Sequence, residues 1–368
     1  MTQLKVDTIT DAAGTAAPDL EDGLTVNGAA LSTVNTAEYY SSGTEPSSPK
    51  DGAIWWDTGN DKVMIYVNDA WYEVELGAAA SAVWYGDRAV FGFGTSNVYD
   101  YVNIASAGNA TDFGDPLSGK TGYYSYAMSN GTYGVWAGHA YDDVTMQYIT
   151  FSTTGNAADF GDLAVAQAWA AATGDGTYGV IGMGRNSSYS NVNTVQRVSL
   201  ETTGNAADFD DLTVATRFGG AACSNGVRGI FAGGGNQNTI DYILIATSGS
   251  GADFGDLSVS TNYAEAAEST TRAVLSLNNA GGSSNNNTLV YITMDTTGNS
   301  TDFGDLTVGR QLNAGATNAT KGIWGGGGDS PYSNVIDQVT IDTTGNATDF
   351  GDLTVARRFF AATSGAAS

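Results

Sequence analysis

The chain has little of what metal and redox enzymes use. Among its 368 residues there is one cysteine, Cys223, and one histidine, His139. A lone cysteine forms no internal disulfide, and in Gly219-Gly-Ala-Ala-Cys-Ser it reads as a small buried side chain. One histidine cannot build a zinc or copper site of the usual kind, so His139, in Trp136-Ala-Gly-His-Ala, is expected to be a loop residue and no metal or cofactor is expected. Cations are scarce too: 14 Lys and Arg stand against 39 Asp and Glu, giving a formal net charge of -25 with no basic run. Such a surface repels phosphate backbones and anionic headgroups, which argues against nucleic acid and membrane surfaces as partners. No apolar run approaches the roughly 20 residues of a spanning helix. The opening Met1-Thr-Gln-Leu-Lys-Val-Asp-Thr-Ile-Thr lacks the apolar stretch of a signal peptide, so synthesis in a cytoplasm is expected. Proline is limited to 5 residues while glycine reaches 49, and with abundant Thr, Asn, Ser, Tyr and Val this favours short strands and tight turns. The expected fold class is all-β.

What is present is a phrase repeated six times. It reads Ser106-Ala-Gly-Asn-Ala-Thr-Asp-Phe-Gly-Asp-Pro-Leu117 first and Thr343-Thr-Gly-Asn-Ala-Thr-Asp-Phe-Gly-Asp-Leu-Thr354 last. Its phenylalanines, Phe113, Phe160, Phe209, Phe254, Phe303 and Phe350, are spaced by 47, 49, 45, 49 and 47 residues, a period in the range of propeller blades. Each period parses into four strand-like pieces: in the fourth repeat these are a (217–223), b (228–234), c (240–246) and a short d around 254–259. Glycine pairs let inner strands crowd a central channel, and one large aromatic per unit fills the wedge between neighbouring sheets. A six-bladed β-propeller over residues 80–368 follows. Residues 357–365 form an extra strand a, able to close the ring by pairing with 89–94; residues 81–85 compete for that role.

Residues 1–79 share nothing with the repeat. The first 35 have too few apolar residues to fold alone and are expected to be an extended, oligomerising anchor. Residues 36–79 read as a small aromatic β-meander with strands at 53–57, 63–67 and 70–74 and turns at 58–62 and 68–69, followed by a linker at 77–81.

Two family resemblances attach to these motifs. The pattern of an apolar strand ending in Gly-Gly (Arg228-Gly-Ile-Phe-Ala-Gly-Gly234), a tyrosine-bearing strand and then an aromatic resembles the kelch repeat. That resemblance puts the six phenylalanines where kelch repeats carry tryptophan, and Arg217, Arg310 and Arg357 near the kelch arginine. The other junctions depart from it with Lys120, Gln167 and Thr261. Copper-dependent kelch-type oxidases use several histidines and a cysteine–tyrosine cofactor, which this chain cannot supply. Leu4-Lys-Val-Asp-Thr-Ile-Thr-Asp-Ala-Ala-Gly-Thr and the pattern Pro-x-x-Gly-x-x-Trp-x-Asp-Thr at 49–58, followed by Trp71, resemble the N-terminal parts of phage tail-fibre and other virion structural proteins. This resemblance implies a virion location, attachment to other virion proteins through the N-terminal module, and a homotrimer.

Length variation within the repeat points to the binding face. The threonine-to-phenylalanine distance is 7 in all six copies and phenylalanine to the next strand b is 20–22. From the centre of strand b to the next threonine it is 16, 18, 22, 17, 22 and 20, so nearly all variation lies in the b–c connection. In an antiparallel blade the b–c and d–a turns share one face, and loops that vary on a fixed scaffold are where binding evolves. Tyr141, Tyr189, Asn191, Asn236, Asn286, Tyr332 and Asn334 are the candidate ligand-binding residues there, with chemistry suited to hydroxyl-rich ligands; solvated loops are the alternative.

Catalysis is not expected, because six equivalent units leave no single centre. The pairs Asp112/Asp115 and their counterparts are expected to cap turns, calcium being the alternative. They could serve a glycosidase only if one unit broke the pattern. Asp210, replacing glycine in Phe209-Asp-Asp, breaks it alone. Asn109, Asn130, Asn299, Asn318 and Asn346 begin Asn-x-Thr triplets that read as turns. The expected function is display of a propeller by a virion fibre or spike for recognition of a host glycan or receptor protein. A head or tail decoration protein with no host ligand is the alternative.

Overall fold

The computed structural model of the protein describes residues 4–6, 25–26, 29–30, 39–50, 52–57, 62–67, 70–76, 84–117, 122–215, 217–281 and 285–367. All regular elements among them are β-strands, and the chain divides into two compact units, 1–81 and 82–368.

The first unit is built on a sheet of five strands in the order Leu4–Val6, Ala70–Leu76, Lys62–Val67, Ile54–Asp57, Tyr39–Ser42. The three predicted meander strands are its centre, and a parallel strand is added at each edge. Its aromatic residues pack on one another: the Trp71 ring lies 5.5 Å from that of the buried Trp55 and 5.2 Å from that of Tyr66. The Trp55 indole N–H donates to the Ser42 carbonyl at 3.0 Å. Most of 1–35, the two turns except Lys62, the linker and Lys120 lie outside the described residues.

The second unit is propeller-like. Its described strands form six four-stranded antiparallel sheets, numbered here in chain order. Their innermost strands, position a of the repeat, are Ala361–Gly365 in sheet 1, then Tyr126–Ser129, Ala171–Gly174, Ala221–Ser224, Ala264–Glu268 and Ala314–Thr317 in sheets 2 to 6. Each packs beside the next, and Ala361–Gly365 also lies beside Tyr126–Ser129, so these strands line a common channel. Of the two strands able to complete sheet 1, the C-terminal one does so: Ala361 pairs with Gly92 and Gly365 with Arg88. Trp84 and Tyr85 instead line the channel.

The repeated phrase is the joint between sheets. In Phe-Gly-Asp the glycine takes a left-handed or strongly positive φ, +141° at Gly161, and a Cβ there would stand 2.3 Å from the Gly204 carbonyl oxygen of the next sheet. Across the same joint the Gly204 N–H donates to the Phe160 carbonyl at 2.8 Å, and the Asp162 N–H donates to Asn205 Oδ1 at 3.0 Å. The pattern recurs from the last sheet to the first, where the Asp352 N–H donates to Asn109 Oδ1 at 3.1 Å and the Ala110 N–H to the Asp352 carbonyl at 2.7 Å. The phenylalanines fill the wedges: Phe350 packs with Val102 and Ile104 of sheet 1, and Phe254 with Ile292 and Met294 of sheet 5.

The expectation that the paired aspartates cap these turns is corrected here. Asn109, Asn156, Asn205, Asn299 and Asn346 do the capping, each accepting from a backbone N–H of the preceding sheet. At these five joints the amide supplies the acceptor without adding charge beside the exposed carboxylates. Asp112, Asp115, Asp159 and Asp162 stand exposed. The triplet asparagines are turn and joint residues, Asn130 and Asn318 each accepting from the N–H groups two and three residues on. Cys223 is fully buried in a core cluster, and burial pushes its thiol well up.

Candidate functional site

Each chain segment entering strand a passes a residue that overhangs the channel mouth. In sheet order from the second these are Tyr124, Trp169, Gly219, Tyr263 and Leu312, with Phe359 in sheet 1. Five of the six take a left-handed backbone: Tyr124 at φ 84°, Trp169 at 57°, Gly219 at 72°, Leu312 at 62° and Phe359 at 63°. Large side chains rarely adopt this conformation, and it persists only where the surroundings over-determine it. Here it turns the aromatics inward on one another. The Tyr124 and Trp169 ring centroids are 4.3 Å apart, and Phe359 lies 5.5 Å from Trp169 and 5.7 Å from Tyr124. Trp169 also stacks on Tyr263 at 5.2 Å, reaching across Gly219, where a Cβ would come within 2.9 Å of the Tyr263 ring.

Two predicted residues extend this cluster outward. Tyr141 packs 5.2 Å from Tyr124 and its hydroxyl accepts the Trp169 indole N–H at 2.9 Å. Tyr189 lies 4.3 Å from Tyr141 and is 65% exposed, with a left-handed φ of 59°. Tyr332 is partly exposed beneath the Arg358 guanidinium, 4.8 Å from its ring centre, and Arg358 also covers Phe359 at 4.7 Å. Arg358 in turn contacts Asp329 at 3.3 Å.

Two of the four predicted asparagines, Asn191 and Asn286, are bonded through their side chains within their own loops. Asn191 Oδ1 accepts from Arg185 Nε at 2.9 Å, and Arg185 lies 3.8 Å over the Phe218 ring. Asn286 Oδ1 accepts from the Thr288 N–H at 2.7 Å. The Asn334 carbonyl accepts from the Leu353 N–H at 2.7 Å. Asn236 is exposed with φ 63°, its Oδ1 3.4 Å from Ser260 Oγ.

Sequence reasoning missed Tyr124, Trp169, Tyr263 and Phe359 because they lie in the d–a connection, whose length barely varies. Four aromatics just ahead of small-residue strands, in units otherwise near-identical, were the available signal.

Below this rim the channel is lined by small and hydroxyl side chains, with two carboxyls from sheet 5, Glu265 and Glu268. Burial raises Glu265 to about 8, opposed by the Gly315 backbone N–H. Burial also raises Glu268 to about 7, opposed by the Trp84 indole N–H. Among the described residues no lysine, arginine or histidine lines the channel or the small cavity at its mouth; Arg358, over Phe359, and Arg185, over Phe218, stand at the outer rim. Among the described residues, no group of three or more His, Cys, Asp or Glu comes together. His139 is a b–c loop residue, but a buried one, stacked 5.3 Å from Phe93 with Nε2 2.8 Å from Asp143. No protein-family model matches the chain, and no curated protein is significantly similar to it.

Proposed function

We propose that this chain is a non-catalytic recognition protein: a six-bladed, kelch-like β-propeller that binds a glycan on its aromatic face and is carried by its N-terminal unit, as in a virion fibre. The observation that carries this reading is the inward-turned cluster of Tyr124, Trp169, Tyr263 and Phe359, continued to the exposed Tyr189. Aromatic faces bearing a polar tip suit ligands that present both C–H faces and hydroxyls. The innermost strands, packed beside one another in sequence, support six blades, and so does the joint from sheet 6 back to sheet 1. Trp84 and Tyr85 line the channel with Glu268, at the end of strand a away from the aromatic residues. Attachment to other virion proteins as a homotrimer is part of the same proposal and rests on the N-terminal resemblance.

Glycan-array binding by the full-length protein tests it. Selective binding that is lost in a Trp169→Ala/Tyr189→Ala variant is expected. A folded protein that binds no glycan while still assembling onto particles would favour the decoration role instead, a reading in keeping with asparagines already occupied inside their loops.

A further inference from the structure

The channel mouth breaks the repeat in sheets 5 and 6, and it breaks it with polar groups. Glu265 stands where the other sheets place Tyr126, Ala171, Ala221, Ala314 and Ala361. Asn313, one residue ahead of that position in sheet 6, stands where sheets 3 and 4 have Ala170 and Gly220. Together with Asn278 and Ser125 they line a cavity of about 40 Å³ beneath the aromatic rim.

Asn278 and Asn313 are 0% and 1% exposed, and Asn278 Nδ2 donates to Asn313 Oδ1 at 2.6 Å. Ser276 Oγ also donates to Asn313 Oδ1, at 3.4 Å, which leaves Asn278 Oδ1 and Asn313 Nδ2 without partners, and Ser125 Oγ is unpartnered as well. Exchanging oxygen and nitrogen in both amides leaves the same inventory, one free acceptor and one free donor. Buried amide groups left unpaired are costly, so this arrangement calls for a group that both donates and accepts. A cation is disfavoured by the free amide N–H, and a carboxylate or phosphate by the absence of any basic side chain in the lining. A neutral hydroxyl satisfies both atoms. Burial raises the Glu265 carboxyl to about 8, which favours the neutral form that can itself donate. The cavity has room for a few waters or one hydroxymethyl arm; the Trp169 ring above it is packed by Tyr124 at 4.3 Å and Tyr263 at 5.2 Å, so the rest of a pyranose would meet the outer side of this aromatic cluster.

We infer that the mouth is a subsite for the terminal residue of a neutral glycan, which stands against the outer side of the aromatic cluster and sends a hydroxymethyl or hydroxyl pair down to Asn278, Asn313 and Glu265. This rests on the glycan-binding reading of the face and adds to it the class of sugar and the end of the chain that is read. An uncharged terminal sugar is accepted; a terminal uronic or sialic acid that sends its carboxylate into the inner cavity is rejected, because no basic side chain lines that cavity and Glu265 does.

The test is titration of the full-length protein with methyl glucoside, galactoside and mannoside, with methyl glucuronide and N-acetylneuraminic acid, and with ammonium chloride. Saturation-transfer NMR and the fluorescence difference from Trp169→Phe report binding. At least one neutral glycoside is expected to bind, with its Kd raised tenfold or more by Glu265→Met and by Asn313→Ala, and twofold or less by Glu265→Gln, which keeps a neutral donor, and by Tyr189→Ala at the outer rim. Should Asn313→Ala melt early, the near-isosteric Glu265→Met decides. Preference for the acidic sugars or for ammonium overturns the inference. Neutral glycosides that bind equally to the wild type and both pocket variants overturn this subsite while leaving glycan recognition standing, and absence of any saccharide binding overturns both.

Discussion

Arg217 and Asp241 meet 2.5 Å apart with neither side chain exposed, one at the entry to strand a of sheet 4 and the other on strand c of the same sheet. The same pairing recurs as Arg310 with Asp337 at 3.0 Å in sheet 6 and as Arg357 with Asp100 in sheet 1. In sheet 3 both members change together, and Gln196 Nε2 donates to Gln167 Oε1 at 2.7 Å. In sheet 5 the equivalent residues are Thr261 and Val290. Charge at the junction therefore occurs where its partner does.

A buried ion pair contributes little net stability compared with a neutral replacement, but a buried charge stripped of its partner is expensive. Asp241→Ala is expected to lower the unfolding free energy by about 3–5 kcal/mol, since the Arg217 guanidinium would keep only the carbonyls of Phe231 and Thr239. The double change Arg217→Gln/Asp241→Gln copies sheet 3 and should recover most of that loss. Chemical denaturation of the three proteins checks this. A double variant no more stable than Asp241→Ala would refute the paired-residue account.

The fourth copy of the phrase carries a compensated defect. It has Ser250 where the other copies have asparagine, so the side-chain acceptor across the joint from sheet 3 is missing. Asp210, which occupies the glycine position of Phe209-Asp-Asp, supplies it: one carboxylate oxygen accepts from the Asp211 N–H at 2.7 Å and the other from the Gly249 N–H at 3.1 Å. Asp210→Gly alone is expected to cost about 1–2 kcal/mol, in keeping with two charge-assisted hydrogen bonds at a partly exposed site. Adding Ser250→Asn should restore wild-type stability by rebuilding the joint found in the other copies. Thermal melts of the single and double variants give the answer, and a double variant as unstable as the single one would exclude compensation.

Much of this architecture is legible in the chain because six near-copies expose which positions cannot change. The phenylalanine period gave the sheets, and the surplus strand near 361–365 gave one of two candidates for closing sheet 1. Relations between copies are harder to read. The match of Arg217, Arg310 and Arg357 with Asp241, Asp337 and Asp100 is written in the sequence, but it becomes meaningful only when the strand register sets each pair side by side. Asp210 looked isolated because its partner N–H belongs to the next sheet, 39 residues away. The aromatic rim was obscured for a different reason. Its side chains converge through left-handed backbone at Tyr124, Trp169 and Phe359, a conformation that residue type argues against.

Glu265 gives the fold a pH dependence of definite sign. Its carboxyl is raised to about 8 by burial, far above its unfolded value, and its lining neighbours are Glu268 and the tyrosines Tyr85, Tyr124, Tyr126 and Tyr263. All four tyrosines are themselves raised, chiefly by burial, and stay neutral through this range. Below the unfolded pKa both states hold the Glu265 proton and no stability difference arises. As pH climbs from there to about 8, the unfolded chain has lost the proton and the folded one retains it, so stability falls with rising pH across that window. Above it both states are ionised and the loss levels off. Glu265→Gln removes the titration, so its melting temperature should match the wild type near pH 4, rise progressively above it towards pH 8 and keep a constant lead beyond, with pH values set here by the window from about 4 to 8. Paired melts of wild type and variant across this range check the sign, and a gap that shrinks as pH rises would mean that Glu265 is ionised and stabilised in the folded channel.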